Sequence, residues 1–410
     1  MELASPEDRG FDGERLQRID RFLEETYLDT GRLKTMQLLV SRDGQPVHYW
    51  HGGTLRDDGT PMCEDALFRI ASMTKPITSV AFMQLVEQCK VALDDPVARV
   101  LPEFEKLGAY AGGGGDLPFA PMKRDAPMRF VDLMTHMSGL TYGFQNRTSI
   151  DAAYRAAKLD LSRTAITSDE FIATLAAIPL EFEPGTRWNY SVSTDVLGVC
   201  VERLSGMPLG EYLRENIFAP LGMEDTGFDI DPAKQDRLAD AYLYRPGKTP
   251  RLTDKAAESR LMETATFHSG GGGLISTLAD YERFCTMLVN RGAYQDGQII
   301  APKTLDLMAA NHLPGGADLT QMSESMFSEA SNAGTGFGLG FAVVTDPART
   351  LMPASKGEFY WGGAYSTAFF VDPVERITMV FMTQLYPSST YPIRRQLKTL
   401  IYSALTHSNA

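Results

Sequence analysis

Paired cysteines are the first thing missing from this chain. Its four, Cys63, Cys89, Cys200 and Cys285, are widely scattered and form no C-x-x-C pair. That spacing argues against a disulfide scaffold and predicts reduced, partly buried thiols. Long apolar runs are missing too; no stretch approaches the ~18 residues of a membrane span. The segment Met1–Asp8 is acidic and polar, with no basic region leading into an apolar core, so no secretion signal is expected there. Basic clusters are absent: 39 Lys and Arg stand against 52 Asp and Glu, a net charge of −13. Such a surface argues against a nucleic-acid partner, because phosphate binding needs grouped Lys and Arg. The six histidines show no ligand spacing, which argues against zinc. The lipase signature G-x-S-x-G does not occur, which weighs against an α/β-hydrolase. These absences favour a soluble cytoplasmic protein, and no metal, cofactor or membrane partner is expected. Oligomeric state is not readable from them.

What is present is ordinary globular material: 410 residues, 43% hydrophobic and 22% charged, ample for a large core and two domains. Residues 13–30 carry apolar positions at helical spacing through Leu16, Ile19, Phe22 and Leu23. Met36–Val40 and Val47–Trp50 read as strands joined by an Asp43-Gly44 hairpin turn. Helical spacing recurs over 77–85, 165–177, 194–204, 278–289 and 391–407. Strands are expected at 337–344, 357–361, 367–371 and 377–383. Gly112–Gly115 is too glycine-rich for regular structure and reads as a surface loop. Strands at both ends with helices between predict a discontinuous α/β (α+β) domain, residues 1–80 and 265–410. A mostly helical domain, 81–264, is inserted in it.

Three segments carry reactive groups. Ser72-Met73-Thr74-Lys75-Pro76 places a hydroxyl and an amine at i and i+3, which share a helix face. Pro76 fits the first turn of a helix starting near Ser72, where orphan N–H groups favour negative charge. A chain this long holds roughly one S-x-x-K by chance, so the motif needs company. Trp188-Asn189-Tyr190-Ser191 follows the turn Glu183-Pro184-Gly185 and brings a phenol to the mouth of the next helix. Trp361-Gly362-Gly363-Ala364 joins two strand-like runs, and paired glycines let a backbone approach a ligand closely.

In this order the three segments resemble the serine β-lactamase and penicillin-binding-protein superfamily. Leu133-Met134-Thr135-His136-Met137-Ser138-Gly139-Leu140 is similar to that group's LLTHTSGL segment. Ile217–Met223 and Gly271–Thr277 also fit. Within the superfamily the chain looks most like the family VIII carboxylesterases, relatives of class C β-lactamases, over about residues 10–405. The resemblance implies a β-lactamase-like fold, an antiparallel sheet flanked by helices. It implies Ser72 as nucleophile, Lys75 and Tyr190 as the pair that moves its proton, and an oxyanion hole from the N–H groups of Ser72 and Ala364. Lys75 serves as base if neutral; if charged, it instead stabilises a Tyr190 phenolate. The sequence leaves both open.

Two departures bear on the substrate. Val192 stands where the superfamily often has Asn, and Trp361 where it has Lys or His. Those positions help bind the amide and carboxylate of β-lactams. An apolar replacement favours neutral short-chain esters over lactams, with a β-lactamase or D-amino-acid peptidase, or an acyltransferase, as the alternatives on the same scaffold. The expected substrate-binding residues are therefore Trp361, Gly362, Gly363, Val192 and, lining the acyl pocket, Tyr142. His136 with Asp132 imitates a Ser-His-Asp triad, and His268-Ser269-Gly270 imitates the third motif. Both read as structural. Pocket size is expected to depend on loops around 105–128 and 311–335.

Overall fold

The computed structural model describes residues 2–160, 165–324 and 333–410. Its centre is an antiparallel sheet of seven strands, drawn from both ends of the chain. The N-terminal hairpin supplies β1 (Thr35–Arg42) and β2 (Gln45–Gly53). The C-terminal part supplies β3 (Thr335–Phe337), β4 (Ala342–Val344), β5 (Phe359–Gly362), β6 (Ala368–Asp372) and β7 (Ile377–Thr383). The spatial order is β3-β4-β5-β6-β7-β1-β2. The seam between the two halves is the β1–β7 ladder, running from Met36 opposite Thr383 to Arg42 opposite Ile377. The Asp43-Gly44 turn forms as expected, with both residues at positive φ.

Period-2 alternation assigns the two faces of the sheet. Leu38, Val40, Phe370, Met379 and Phe381 pack against α1 (Gly13–Leu23) and the C-terminal α5 (Ile393–Ser403). Leu39, Phe369, Val371, Val380 and Met382 face the other way. There they join the core built on α2 (Thr74–Glu87), α3 (Ser193–Ser205) and α4 (Leu278–Val289). Helix α2 is buried along nearly its whole length, its polar Thr74, Lys75, Thr78 and Ser79 included, so it shows no single apolar face. Residues 81–264 hold short helices such as Phe130–Met134 and Ser168–Ala176, and antiparallel pairs of Ala109–Tyr110 with Pro121–Met122 and Ala241–Arg245 with Lys248–Asp254. No helix among the described residues is long and apolar enough to cross a membrane.

Two expected elements differ. The helix expected to Thr30 ends at Leu23 and widens into a single π turn, Glu24–Leu28. The run 337–344 is not one strand. It breaks between Phe337 and Ala342, where Gly340, at φ +97°, leaves its Cα close over Ser79 of α2. A side chain there would overlap the serine, so the chain turns at that point instead of continuing the pleat.

Candidate active site

Ser72 lies in a tight 3-10 turn, Ala71–Met73, that leads directly into α2. Ala71 has φ +45°, a conformation that non-glycine residues adopt at a cost of order 1 kcal/mol or more. The kink lifts Ser72 out of the helical path and into a cavity of about 780 Å³. Met73 caps α2, and Pro76 falls within the first turn, where no intrahelical N–H is lost. Upstream, Phe68–Arg69 pairs with Ile275–Ser276, which anchors the turn to the loop before α4.

Lys75 is buried beneath the serine. Its Nζ is 3.4 Å from Ser72 Oγ, 2.9 Å from Tyr142 Oη and 2.6 Å from the Gly271 carbonyl. It also sits 4.6 Å from the centroid of the Tyr190 ring. Amine, serine and both phenols therefore share one pocket. Tyr190 is presented by the extended segment before α3. The Asn189 N–H donates to the His136 carbonyl there, and Gln145 Nε2 donates to the Tyr190 carbonyl at 2.5 Å.

The glycine run after Ser269 is laid along the inner face of α2. Thr74 Oγ1 accepts from the Leu274 N–H, Lys75 donates to Gly271, and Thr78 Oγ1 donates to Gly270. A side chain at Gly270 would press on the Thr194 carbonyl at 2.7 Å. This run is therefore a spacer between α2 and α3 and not a strand of the third motif. Asp195, in the first turn of α3, fixes it by accepting from Ser269 Oγ at 2.5 Å and from the Gly271 N–H at 3.1 Å. Burial raises the Asp195 carboxyl, while the Lys75 charge pulls it back. Burial, and then the facing Asp195 carboxylate, hold the Tyr142 phenol well above its ordinary range, so it stays protonated.

Of the sequence-derived residues, Ser72, Tyr142, Tyr190, Trp361, Gly362, Gly363 and Ala364 all line the cavity. Trp361 packs 5.5 Å from the Tyr190 ring and edge-on to Phe337 at 5.4 Å, forming an aromatic wall. Gly363 is where a side chain would overlap the Ile70 carbonyl, so its lack of one brings the 363–367 turn against the Ser72 loop. Ser72 and Ala364 face the same space, and neither backbone N–H donates to another described residue.

Val192 is the exception. It is fully buried as the N-cap of α3, with its N–H on the Thr141 carbonyl, and it does not reach the cavity wall. A residue two positions beyond the tyrosine has already entered the helical turn, which points its side chain into the core. The imitation triad is absent from the structure. Asp132 pairs with Arg129 at 3.0 Å, and His136 Nδ1 meets Ser191 Oγ at 3.2 Å. Of the loops expected to shape the pocket, residues 325–332 lie outside the described residues.

Asp195 and the Gly271 carbonyl were not singled out from the sequence. The signal available was an acidic residue in an otherwise apolar helical run, followed far downstream by four glycines.

Known proteins resemble this chain along most of its length. The Beta-lactamase family model matches residues 21–402. Protein Rv1367c of Mycobacterium tuberculosis is 37% identical over 338 residues, 81% of this chain and 80% of the relative. Esterase EstB of Burkholderia gladioli is 31% identical over 411 residues, 94% of this chain and 95% of the relative. The solved structure of EstCE1, described as a hydrolase with promiscuous acyltransferase activity, superposes with a TM-score of 0.79. It does so at 26% identity, over 96% of this chain and 99% of that one. With its fold and nearly its whole length accounted for in this way, the chain belongs to the beta-lactamase family of serine hydrolases.

Proposed function

We propose that this protein is a carboxylesterase that hydrolyses short-chain acyl esters through a Ser72 acyl-enzyme. The observation that carries the reading is the Ser72–Lys75–Tyr142–Gly271 contact set at the floor of an aromatic-walled cavity. Charged, Lys75 donates to Gly271, Tyr142 and Ser72; once it has given up a proton it keeps two N–H bonds and one lone pair. The Gly271 carbonyl and the Tyr142 oxygen take the two N–H bonds, which leaves the lone pair for the Ser72 proton. Ser72 Oγ then attacks the ester carbonyl, with its proton held by the Lys75/Tyr190 pair. The backbone N–H groups of Ser72 and Ala364 receive the oxyanion, each contributing on the order of 3 kcal/mol. Collapse breaks the C–O bond to the alcohol, which leaves with the proton that Tyr190 relays. Water, deprotonated by the same pair, then releases the acid and regenerates Ser72.

Esterase EstB and EstCE1 support the choice of ester, as does Trp361, which leaves the wall apolar where a cation would hold a lactam carboxylate. The test is Ser72→Ala with p-nitrophenyl butyrate and a fluorophosphonate label. Hydrolysis and labelling should both vanish while the circular dichroism spectrum is unchanged. Turnover like that of the parent protein would reject the assignment. Nitrocefin run beside the ester panel addresses lactam cleavage. The name of EstCE1 supports a second outlet, in which an added alcohol replaces water in the second step. Ester products formed from an alcohol acceptor would reveal it.

A further inference from the structure

The turn that carries Ala364 is gripped from behind. Arg394 projects from α5, on the face of the sheet opposite Ser72. Its Nη2 donates to two carbonyls at the base of the turn, Gly363 at 3.1 Å and Thr367 at 3.0 Å. The Ser366 N–H shares the Gly363 oxygen at 3.0 Å, and the Gly363 N–H closes the turn onto Thr367 at 2.9 Å.

The two glycines divide the work. A side chain at Gly363 would overlap the Ile70 carbonyl on the Ser72 side, whereas one at Gly362 would overlap the Arg394 guanidinium on the α5 side. Gly362 is thus the seat of the arginine, as Gly363 is the seat of the nucleophile loop.

The Gly363 carbonyl and the Ala364 N–H belong to one peptide. In a trans peptide the C=O and N–H bonds point in opposite directions. A carbonyl aimed at Arg394 therefore sends the Ala364 N–H towards the Ser72 face. A guanidinium on that oxygen also polarises the peptide, and hydrogen bonds in such a chain strengthen one another. We infer that Arg394 is a positioning residue for the oxyanion hole, which both aims the Ala364 N–H and sharpens it as a donor. This rests on the reading that Ala364 N–H receives the oxyanion.

The experiment compares Arg394→Ala, Arg394→Lys and Gly362→Ala with the parent protein. Each is assayed for kcat and KM on p-nitrophenyl butyrate, for the rate of fluorophosphonate labelling, and for Tm. Loss of an interaction made in the transition state lowers kcat and leaves KM alone. Arg394→Ala is expected to lose about 30-fold in kcat, less than the 100-fold or more of a deleted oxyanion donor. KM should hold. Truncating Arg394 leaves a guanidinium-sized space against Gly362. Millimolar guanidinium should restore activity severalfold to Arg394→Ala, and methylammonium should not. Gly362→Ala, which keeps the charge but unseats it, should reproduce the kcat loss without rescue. An unchanged kcat in Arg394→Ala overturns the inference. So does a loss that follows Tm and ignores guanidinium. If the parent protein is not labelled at Ser72, the esterase reading itself falls. If parent and Arg394→Ala are labelled equally fast, only the role of Arg394 falls.

Discussion

The Lys75 amine lies 2.9 Å from the Tyr142 phenol oxygen, nearer than the 3.4 Å that separates it from Ser72. The phenol is protonated, buried and faced by Asp195, so it accepts from the lysine on one side and is held by the carboxylate on the other. Tyr142 thus touches the amine as well as lining the cavity. It fixes where the amine points.

Tyr142→Phe should therefore lower kcat by about tenfold, the cost of one misplaced hydrogen bond near 1.4 kcal/mol. KM for p-nitrophenyl butyrate should change little. Steady-state kinetics on purified protein decide this, and an unaltered kcat would return Tyr142 to simple packing.

Gly363→Ala should be far more damaging. The added methyl meets the Ile70 carbonyl and the Thr367 hydroxyl, both held by the surrounding fold. The turn must withdraw from Ser72 and take the Ala364 N–H with it. A fall in kcat of at least ~100-fold is expected, with Tm lowered by only a few degrees. Full activity in that variant would show that the turn supplies no donor.

His136 packs 4.9 Å from the Tyr190 ring with Trp188 and Phe337 around it. Burial, and then the Lys75 charge, hold its imidazole well below the ordinary histidine value. The unfolded chain takes up a proton below about pH 6.5 that the folded chain refuses, so stability declines as the pH falls through that range. His136→Gln should flatten this acid limb in a denaturation series. It should also keep kcat within about tenfold, whereas a triad histidine would cost 10⁴-fold or more.

Glu282 gives the opposite slope. It is buried in α4, where its Oε1 accepts from Thr378 Oγ1 at 2.8 Å and from Thr286 Oγ1 at 3.3 Å. Burial pushes its carboxyl up to about 7. The folded state keeps a proton that the unfolded chain loses near pH 4.5, so stability drops as the pH rises from there to about 7. Glu282→Gln removes that loss. The variant should be more stable than the parent at pH 8, by about 3 kcal/mol at most, with the gain gone at pH 4.5. Urea melts at the two pH values measure it.

Much of this was legible along the chain because it is local. A serine and lysine three apart, a tyrosine before a helix and an Asp-Gly hairpin each report on their own neighbourhood, and α4 lies where its apolar spacing puts it. The hidden parts are contacts across the fold. Asp195 reaches Ser269, Lys75 reaches Gly271, and Arg394 reaches Gly363, and no periodicity encodes such meetings. Val192 misled for a related reason. Position relative to a motif does not reveal on which side of a helix start a side chain falls. The strand break at Gly340 likewise depends on Ser79, a residue from the other end of the sequence.

The β1–β7 ladder has one more consequence. Because Met36 pairs with Thr383, the middle of the sheet stays open until the last strands have left the ribosome. A nascent chain must keep its β1–β2 hairpin and the buried helix behind Ser72 unassembled for most of synthesis. Such long-range closure makes for slow maturation and invites clumping of the waiting edge. Production at low temperature or with chaperones should accordingly raise the yield of competent enzyme more than any change at the pocket.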